Sequence, residues 1–206
     1  KAVERSSIDQ RIDYRWIDLR TDENQLMFKA QTVLVNAMRK YLLDKNFIEI
    51  HTPKLIGAAS ESGADVFEVK YFDRNAYLAQ SPQFYKQMAM ASGFERIFEV
   101  GPVFRAEKSY TSKHTTEFSG FDLEFSYIES YRDVMKFEEE LLRAGLQAVS
   151  DAYGEQIKEL FGMDVIVPET PFPVVTVAEH YEGLEEDFGY TVDESEKGDL
   201  TTDAER

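Results

Sequence analysis

Two stretches decide how this chain folds: Glu95-Arg-Ile-Phe-Glu-Val-Gly-Pro-Val-Phe-Arg-Ala-Glu107 and Glu117-Phe-Ser-Gly-Phe-Asp-Leu-Glu-Phe-Ser-Tyr-Ile128. Both are rich in aromatic and β-branched residues, and the polar segment 108–116 separates them. They read as strands over 95–107 and 117–128. A parallel partner needs a crossover of a dozen or more residues, so strands this close in sequence pair antiparallel.

Working outward, residues 22–45 carry Leu26, Ala30, Val33, Leu34, Ala37, Met38 and Tyr41 at helical spacing, with Thr21 placed to cap. Asp22 and Glu23 suit the positive end of that helix. A short strand is expected at Phe47–Ile50, closed by Thr52-Pro53, and further strands at 66–72 and 76–79. Residues 56–65 are small and polar and read as a loop. Ser81-Pro82 marks the start of a helix reaching about Ser92. Ser130 and Asp133 form a capping-box pattern ahead of a helix over roughly 131–150. Beyond Gly154 a strand is expected at 173–177, followed by an acidic end. Strands dominate the middle and helices flank them. That predicts an α+β domain on an antiparallel sheet rather than a doubly wound parallel one.

Side chains alternate faces along a strand. On 117–128, Ser119, Phe121, Leu123, Phe125 and Tyr127 share a mostly apolar face, while Phe118, Gly120, Asp122, Glu124 and Ser126 share a polar one. Phe118 is the single large aromatic on that polar face. It is either a platform for a planar ligand such as a nucleobase or an ordinary rim hydrophobe. Arg105 and Glu107 lie two apart, about 6.6 Å along a strand and facing one way. An arginine there can fork onto phosphate and a carboxylate can accept from an exocyclic amine; a solvated ion pair is the plainer alternative. The loop Lys108-Ser-Tyr-Thr-Ser-Lys-His-Thr-Thr116 offers donors suited to polyphosphate or an RNA backbone, or is simply a polar surface loop.

Composition narrows the classes. The 206 residues contain no cysteine, which excludes disulfides, thiolate nucleophiles and cysteine zinc sites and fits a cytoplasmic setting. The three histidines, His51, His114 and His180, are scattered, which argues against a histidine metal site. No stretch approaches an apolar membrane span, and the first residues lack the run of a signal peptide, so no membrane partner is expected. The net charge of −16 is uneven: residues 151–206 hold 16 acids and 3 bases, leaving the first 150 at −3. The body is nearly neutral, so the global acidity does not bar it from RNA.

Read together, these segments resemble one family. Phe47-Ile-Glu-Ile-His-Thr-Pro53 is similar to motif 1 of class II aminoacyl-tRNA synthetases, and residues 98–124 resemble their motif 2. Gln80-Ser-Pro-Gln-Phe-Tyr-Lys-Gln87 resembles the amino-acid-binding segment of aspartyl-tRNA synthetases of the archaeal and eukaryotic cytosolic type. Arg11-Ile-Asp-Tyr-Arg-Trp-Ile-Asp-Leu-Arg20 is similar to the lead-in of their catalytic domain.

The resemblance, over about residues 8–150, implies adenylate formation from aspartate and ATP, then transfer to the 3′ end of tRNA-Asp. It implies that Arg105 is the catalytic contact to the α-phosphate, that Glu107 reads the adenine amino group, and that Phe118 stacks on adenine. His114, with Lys113, would meet the outer phosphates. Glu61, Gln83 and Lys86 would bind aspartate, and Pro53 would belong to a homodimer interface. Lys113 stands where the family commonly has arginine. A Gly-rich motif 3, the magnesium ligands and the anticodon-binding domain are not found before residue 206. The expectation is therefore an incomplete catalytic domain, inactive alone, with any Mg²⁺ arriving with ATP on ligands outside this chain. The expected organisation is a lead-in over 1–21, a core with motifs 1 and 2 over 22–150, and an acidic portion over 151–206. Rival readings are an asparaginyl-tRNA synthetase, a synthetase-derived asparagine synthetase, and a non-catalytic dimerisation or regulatory module. Lys86 favours a carboxylate substrate, since a buried lysine beside an amide would lack a counter-charge.

Overall fold

A computed structural model of the chain describes residues 6–59, 66–106, 115–193, 198 and 204. Two short helices lead in, α1 Ile8–Asp13 and α2 Arg15–Asp18. Arg11 Nε donates to Asp18 at 2.7 Å and Arg15 donates to the same carboxylate. The Arg11 hydrogen bond is the chief reason that carboxyl is held below its ordinary range. The long helix α3, Asp22–Asp44, follows, with the Thr21 hydroxyl accepting from the Asn24 N–H at 3.4 Å as the cap pattern predicts.

Next come β1 Ile48–Glu49, β2 Leu55–Ile56, β3 Glu68–Tyr71, β4 Arg74–Leu78, helix α4 Gln83–Ala91, β5 Arg96–Phe104, β6 Glu117–Phe125 and helix α5 Tyr131–Phe161. One sheet runs β1-β5-β6 and the other β2-β4-β3. The predicted β5–β6 hairpin is antiparallel, with Phe98 opposite Leu123 and Val103 opposite Phe118. β1 joins β5 in parallel, a pairing the local reading did not foresee; the long connection between them is what permits it. The two sheets are stitched where the Phe104 N–H donates to Ala79 O at 2.9 Å and the Ala79 N–H donates to Lys54 O at 3.0 Å.

The apolar face of β6 is the core face, as the alternation predicts. Phe121, Leu123, Phe125 and Phe137 pack on the buried cluster Met38, Leu42, Phe47, Phe98 and Leu141, drawn from α3, β5, α5 and the residue before β1. Phe98 and Phe121 lie nearly parallel at 6.2 Å, and Phe47 meets Phe125 edge-on at 5.9 Å. Burying these rings supplies most of the drive to hold helices on sheet.

Gly145 sets how closely α5 approaches α3. A Cβ there would lie 2.8 Å from Leu34 Cδ1 and 2.9 Å from Met38 Cγ. Alanine's better helix propensity, about 1 kcal/mol, is smaller than the overpacking penalty of about 1–3 kcal/mol. Gly145→Ala should therefore destabilise the protein by about 1 kcal/mol in denaturant unfolding, net of the two opposing effects. Gly154→Ala is the internal control: its Cβ would meet only Ser150 Oγ, at 3.5 Å. There the propensity gain of up to about 1 kcal/mol stands alone and the protein should become more stable. A stabilising Gly145→Ala would refute tight α3–α5 contact.

Two expectations need correction. The helix expected to end near 150 continues through Gly154 to Phe161 and stops at Gly162, whose φ of 68° suits the left-handed cap. The strand expected at 173–177 is absent: residues 173–176 carry no regular structure and helix α6, Val177–Phe188, begins instead. Its capping box, Thr176 with Glu179, outweighs the β-branched run around Val174 and Val175. Those valines are exposed, so no sheet face recruits them. By its contacts the chain divides into two compact units, Lys1–Val167 and Pro168–Arg206. In the second, the Gly198 N–H donates to the Tyr181 hydroxyl at 3.0 Å. No helix among the described residues is long and apolar enough to cross a membrane.

Candidate active site

The polar face of the β5–β6 hairpin forms the floor of a site, and its register orders the chemistry. From one end the opposed pairs are Ile97 with Glu124, Glu99 with Asp122, Gly101 with Gly120, and Val103 with Phe118. The Arg105 N–H then donates to Thr116 O at 3.0 Å, extending the ladder by a step. Helix α4 packs across β5 and β6. Ile97 and Glu99 are accordingly buried, whereas Phe118 at the far end is 38% exposed.

Lysine and carboxylates meet at the covered end. Lys86, 5% exposed, projects from α4 to Asp122 and, at 3.3 Å, to Glu124. Gln83, one turn earlier and half-buried, is its neighbour on that helix face. Pro82, not Ser81, stands at the N-cap of α4 and no side chain caps it; the Ser81 hydroxyl accepts from the Gln83 N–H at 3.3 Å from one residue further out. One premise is overturned. Lys86 does not stand without a counter-charge: two carboxylates two residues apart on one strand face it, because alternation places both on the α4 side.

A second cluster lies beside it. Glu99, 3% exposed, accepts from the Thr52 N–H at 2.9 Å and the Thr52 hydroxyl at 2.6 Å, and pairs with Lys54 Nζ at 2.9 Å. Lys54 also donates to Thr52 Oγ1 at 3.0 Å. Burial pushes the Glu99 carboxyl up, but the Thr52 and Lys54 donors together outweigh it and hold the group below its ordinary range. This clasp ties the end of the motif 1 segment to the site floor, next to exposed Pro53.

Between the carboxylate end and the arginine end the floor has no side chains. A Cβ on Gly120 would come no nearer than 3.7 Å to anything, and one on Gly101 would meet Glu99 Oε1 at 3.4 Å, both ordinary contacts. The protein's own packing therefore does not require glycine at either position. Two glycines facing each other across a hairpin leave bare backbone that a ligand can approach closely.

At the open end the Arg105 guanidinium lies over the Phe118 ring, 5.6 Å from its centroid. Arg105 Nε is buried and is the one buried side-chain nitrogen or oxygen among the described residues without a hydrogen-bond partner. A buried charged donor without an acceptor costs stability, so its retention points to an anionic group as its partner. The arrangement can hold a planar base against Phe118 and an anion at Arg105, with an amino-acid head group toward Lys86.

The structure thus brings Arg105, Phe118, Gln83 and Lys86 to one hairpin face and the helix above it. Glu61, Glu107, Lys113 and His114 lie outside the described residues. Asp122, Glu124, Glu99, Thr52, Lys54 and the Gly101–Gly120 pair were not read as site residues. The alternation that separates Asp122 and Glu124 from the core was the available signal for two of them. Among the described residues no group of three or more His, Asp or Glu could hold a metal ion.

Comparison with known proteins places this geometry. Residues 7–205 match the family model for tRNA synthetases class II (D, K and N). The chain is 47% identical over 203 residues to the aspartate–tRNA(Asp/Asn) ligase of Methanopyrus kandleri, covering 98% of this chain and 46% of that protein. It is 42% identical over 207 residues to the aspartate–tRNA(Asp/Asn) ligase of Aeropyrum pernix, covering 100% of this chain and 46% of that protein. The asparaginyl-tRNA synthetase of Pyrococcus horikoshii, solved with asparaginyl-adenylate, superposes with a TM-score of 0.87 at 36% identity, covering 98% of this chain and 46% of that one. The chain therefore spans about half the length of the curated relatives it matches. With an α+β core, an antiparallel motif 2 hairpin and a family match over nearly its whole length, the chain belongs to the class II tRNA synthetases of the D, K and N group.

Proposed function

We propose that the protein containing this chain activates aspartate with ATP and transfers the aspartyl group to tRNA-Asp. The observation that supports this most is the order of groups along one hairpin face: Lys86 with Asp122 and Glu124, then the glycine pair, then Arg105 over Phe118. An aspartate head group fits the first, adenine and the α-phosphate fit the last, and the bare floor between lets the reacting groups approach.

The aspartate α-carboxylate attacks the α-phosphorus of ATP. The new carboxylate–phosphate bond forms as the bond to pyrophosphate breaks, and pyrophosphate leaves with its electron pair. A hydroxyl of the 3′-terminal adenosine then attacks the acyl carbon of the mixed anhydride; the ester bond forms as the acyl–oxygen bond to AMP breaks, AMP leaves with the electron pair and the hydroxyl proton is released. Neither step needs a covalent bond to the enzyme, so these residues contribute positioning and charge neutralisation. Mg²⁺ enters with the nucleotide as part of that substrate. Glu107 for the adenine amino group, Lys113 and His114 for the outer phosphates, and Glu61 for the aspartate ammonium complete the proposed set. Pro53 is assigned to a homodimer interface, and the setting to the cytoplasm.

A second reading, asparaginyl transfer, is favoured by the superposition on an asparaginyl enzyme. Lys86 supports the first reading, since its ammonium suits a carboxylate, whereas Asp122 and Glu124 beside it are acceptors that would suit an amide. Pyrophosphate exchange by the whole protein decides between them. Exchange should depend on aspartate and be weak with asparagine; a preference for asparagine would replace the first reading with the second.

A further inference from the structure

The β3–β4 hairpin turns through two residues, Phe72 and Asp73, with Tyr71 opposite Arg74 at its neck. Phe72 has φ of 57°, in the left-handed region, and Asp73 does not share a positive φ. In two-residue hairpins with a positive φ at the first central position, glycine is strongly preferred there. A bulky ring in its place strains the backbone, and such strain gathers at working sites. Internal packing does not explain the choice, because Phe72 is 80% exposed. Its contact is edge-to-face with Tyr71 at 4.8 Å, and the Arg74 guanidinium stands 5.7 Å over the Tyr71 ring. Lys70 is exposed on the same hairpin. A solvent-facing aromatic pair and Arg74 thus gather at one tip, with the exposed Asp73 in the turn and Lys70 on the opposite face of the hairpin.

Exposed rings interleaved with cations suit unpaired bases and the phosphates that link them. The position fits as well. β4 runs from Arg74 to Leu78 and delivers Ala79, whose carbonyl accepts from the Phe104 N–H, one residue before Arg105. At strand spacing Arg74, at the neck of the tip, is about 17 Å from that edge of the site. That is roughly five nucleotides at the 3.4 Å step of a stacked strand.

We propose that the β3–β4 tip is an RNA contact: Phe72 stacks on an unpaired base of the tRNA near its reactive end, Tyr71 buttresses it edge-on, and Arg74 meets the adjoining phosphate. This rests on the aspartyl-transfer reading.

The test is Phe72→Gly in the whole protein, with Arg74→Gln as a second variant. Glycine suits the turn better than phenylalanine, so the melting temperature should hold or rise and misfolding cannot explain a loss. The KM for tRNA in aminoacylation should rise between about 5- and 150-fold, the loss of one base stack. Aspartate-dependent pyrophosphate exchange, which needs no RNA, should stay unchanged. Arg74→Gln should weaken tRNA binding and flatten its salt dependence.

An unchanged KM for tRNA in Phe72→Gly, with exchange and charging intact, overturns the inference and leaves the proposed function standing. A wild-type protein that charges no tRNA overturns both. If Phe72→Gly instead breaks an oligomer in light scattering while the KM for tRNA holds, the tip is a contact between copies and the RNA assignment falls.

Discussion

Lys86→Met should lower aspartate activation by about 10⁴-fold, the discrimination typical of a site built around a specific polar partner. The structure sharpens the reason. Lys86 has three N–H donors, and its pairing with Asp122 and Glu124 leaves one for a substrate carboxylate. Methionine keeps much of the stem but removes every donor. It also leaves two neighbouring carboxylates without their cation, facing an anionic substrate. Aspartate thus loses its attraction and gains repulsion. Asparagine is neutral and can donate its amide hydrogens to Asp122 or Glu124, so its relative activity should rise, although neither amino acid should recover the wild-type rate. ATP binding should persist, since Arg105 and Phe118 lie at the other end of the hairpin face. The measurement is pyrophosphate exchange with each amino acid, beside direct nucleotide binding. Wild-type aspartate kinetics in Lys86→Met would end the assignment of Lys86 to the substrate. Loss of ATP binding would show the two ends of the site to be one.

Arg105→Lys should reduce kcat for exchange by roughly 10²–10³-fold, the scale for losing one preorganised donor to developing charge. Lysine keeps the charge but cannot form a planar two-point grip. In the native protein the guanidinium is oriented by the Phe118 ring and its Nε lacks a hydrogen-bond partner. The ring packs against one side of the guanidinium before an anion arrives, and no internal hydrogen bond at Nε must break. If that preorganisation acts on the transition state, kcat falls more than KM for ATP rises. A change confined to KM would assign Arg105 to ground-state binding. Activity within a few-fold of wild type would remove it from the reaction.

Both effects depend on arrangements that the sequence discloses unequally. Alternation along 117–125 separates the core face from the site face correctly, because strand periodicity is two and needs no tertiary information. The long helix after Thr21 and the antiparallel 95–128 hairpin are legible for a similar reason: their signals are local. Helix ends are less so. The helix read over roughly 131–150 runs on through Gly154, because the flanking residues are good helix formers. At 173–177 a run of valines reads as a strand, but residues 173–176 carry no regular structure and the Thr176–Glu179 box starts a helix instead.

What the sequence by itself determined is the family, the α+β class, and which residues of the hairpin turn away from the core. Those follow from the order of motifs and from local periodicity. Only the tertiary structure decided who partners whom: Lys86 with Asp122, 36 positions away, Glu99 with Thr52 and Lys54, and Gly101 opposite Gly120. Charge and hydrogen-bonding capacity are written in each residue. Which opposite charge comes within 3 or 4 Å is set by strand register and by how a helix lies across the sheet, and no local pattern encodes that.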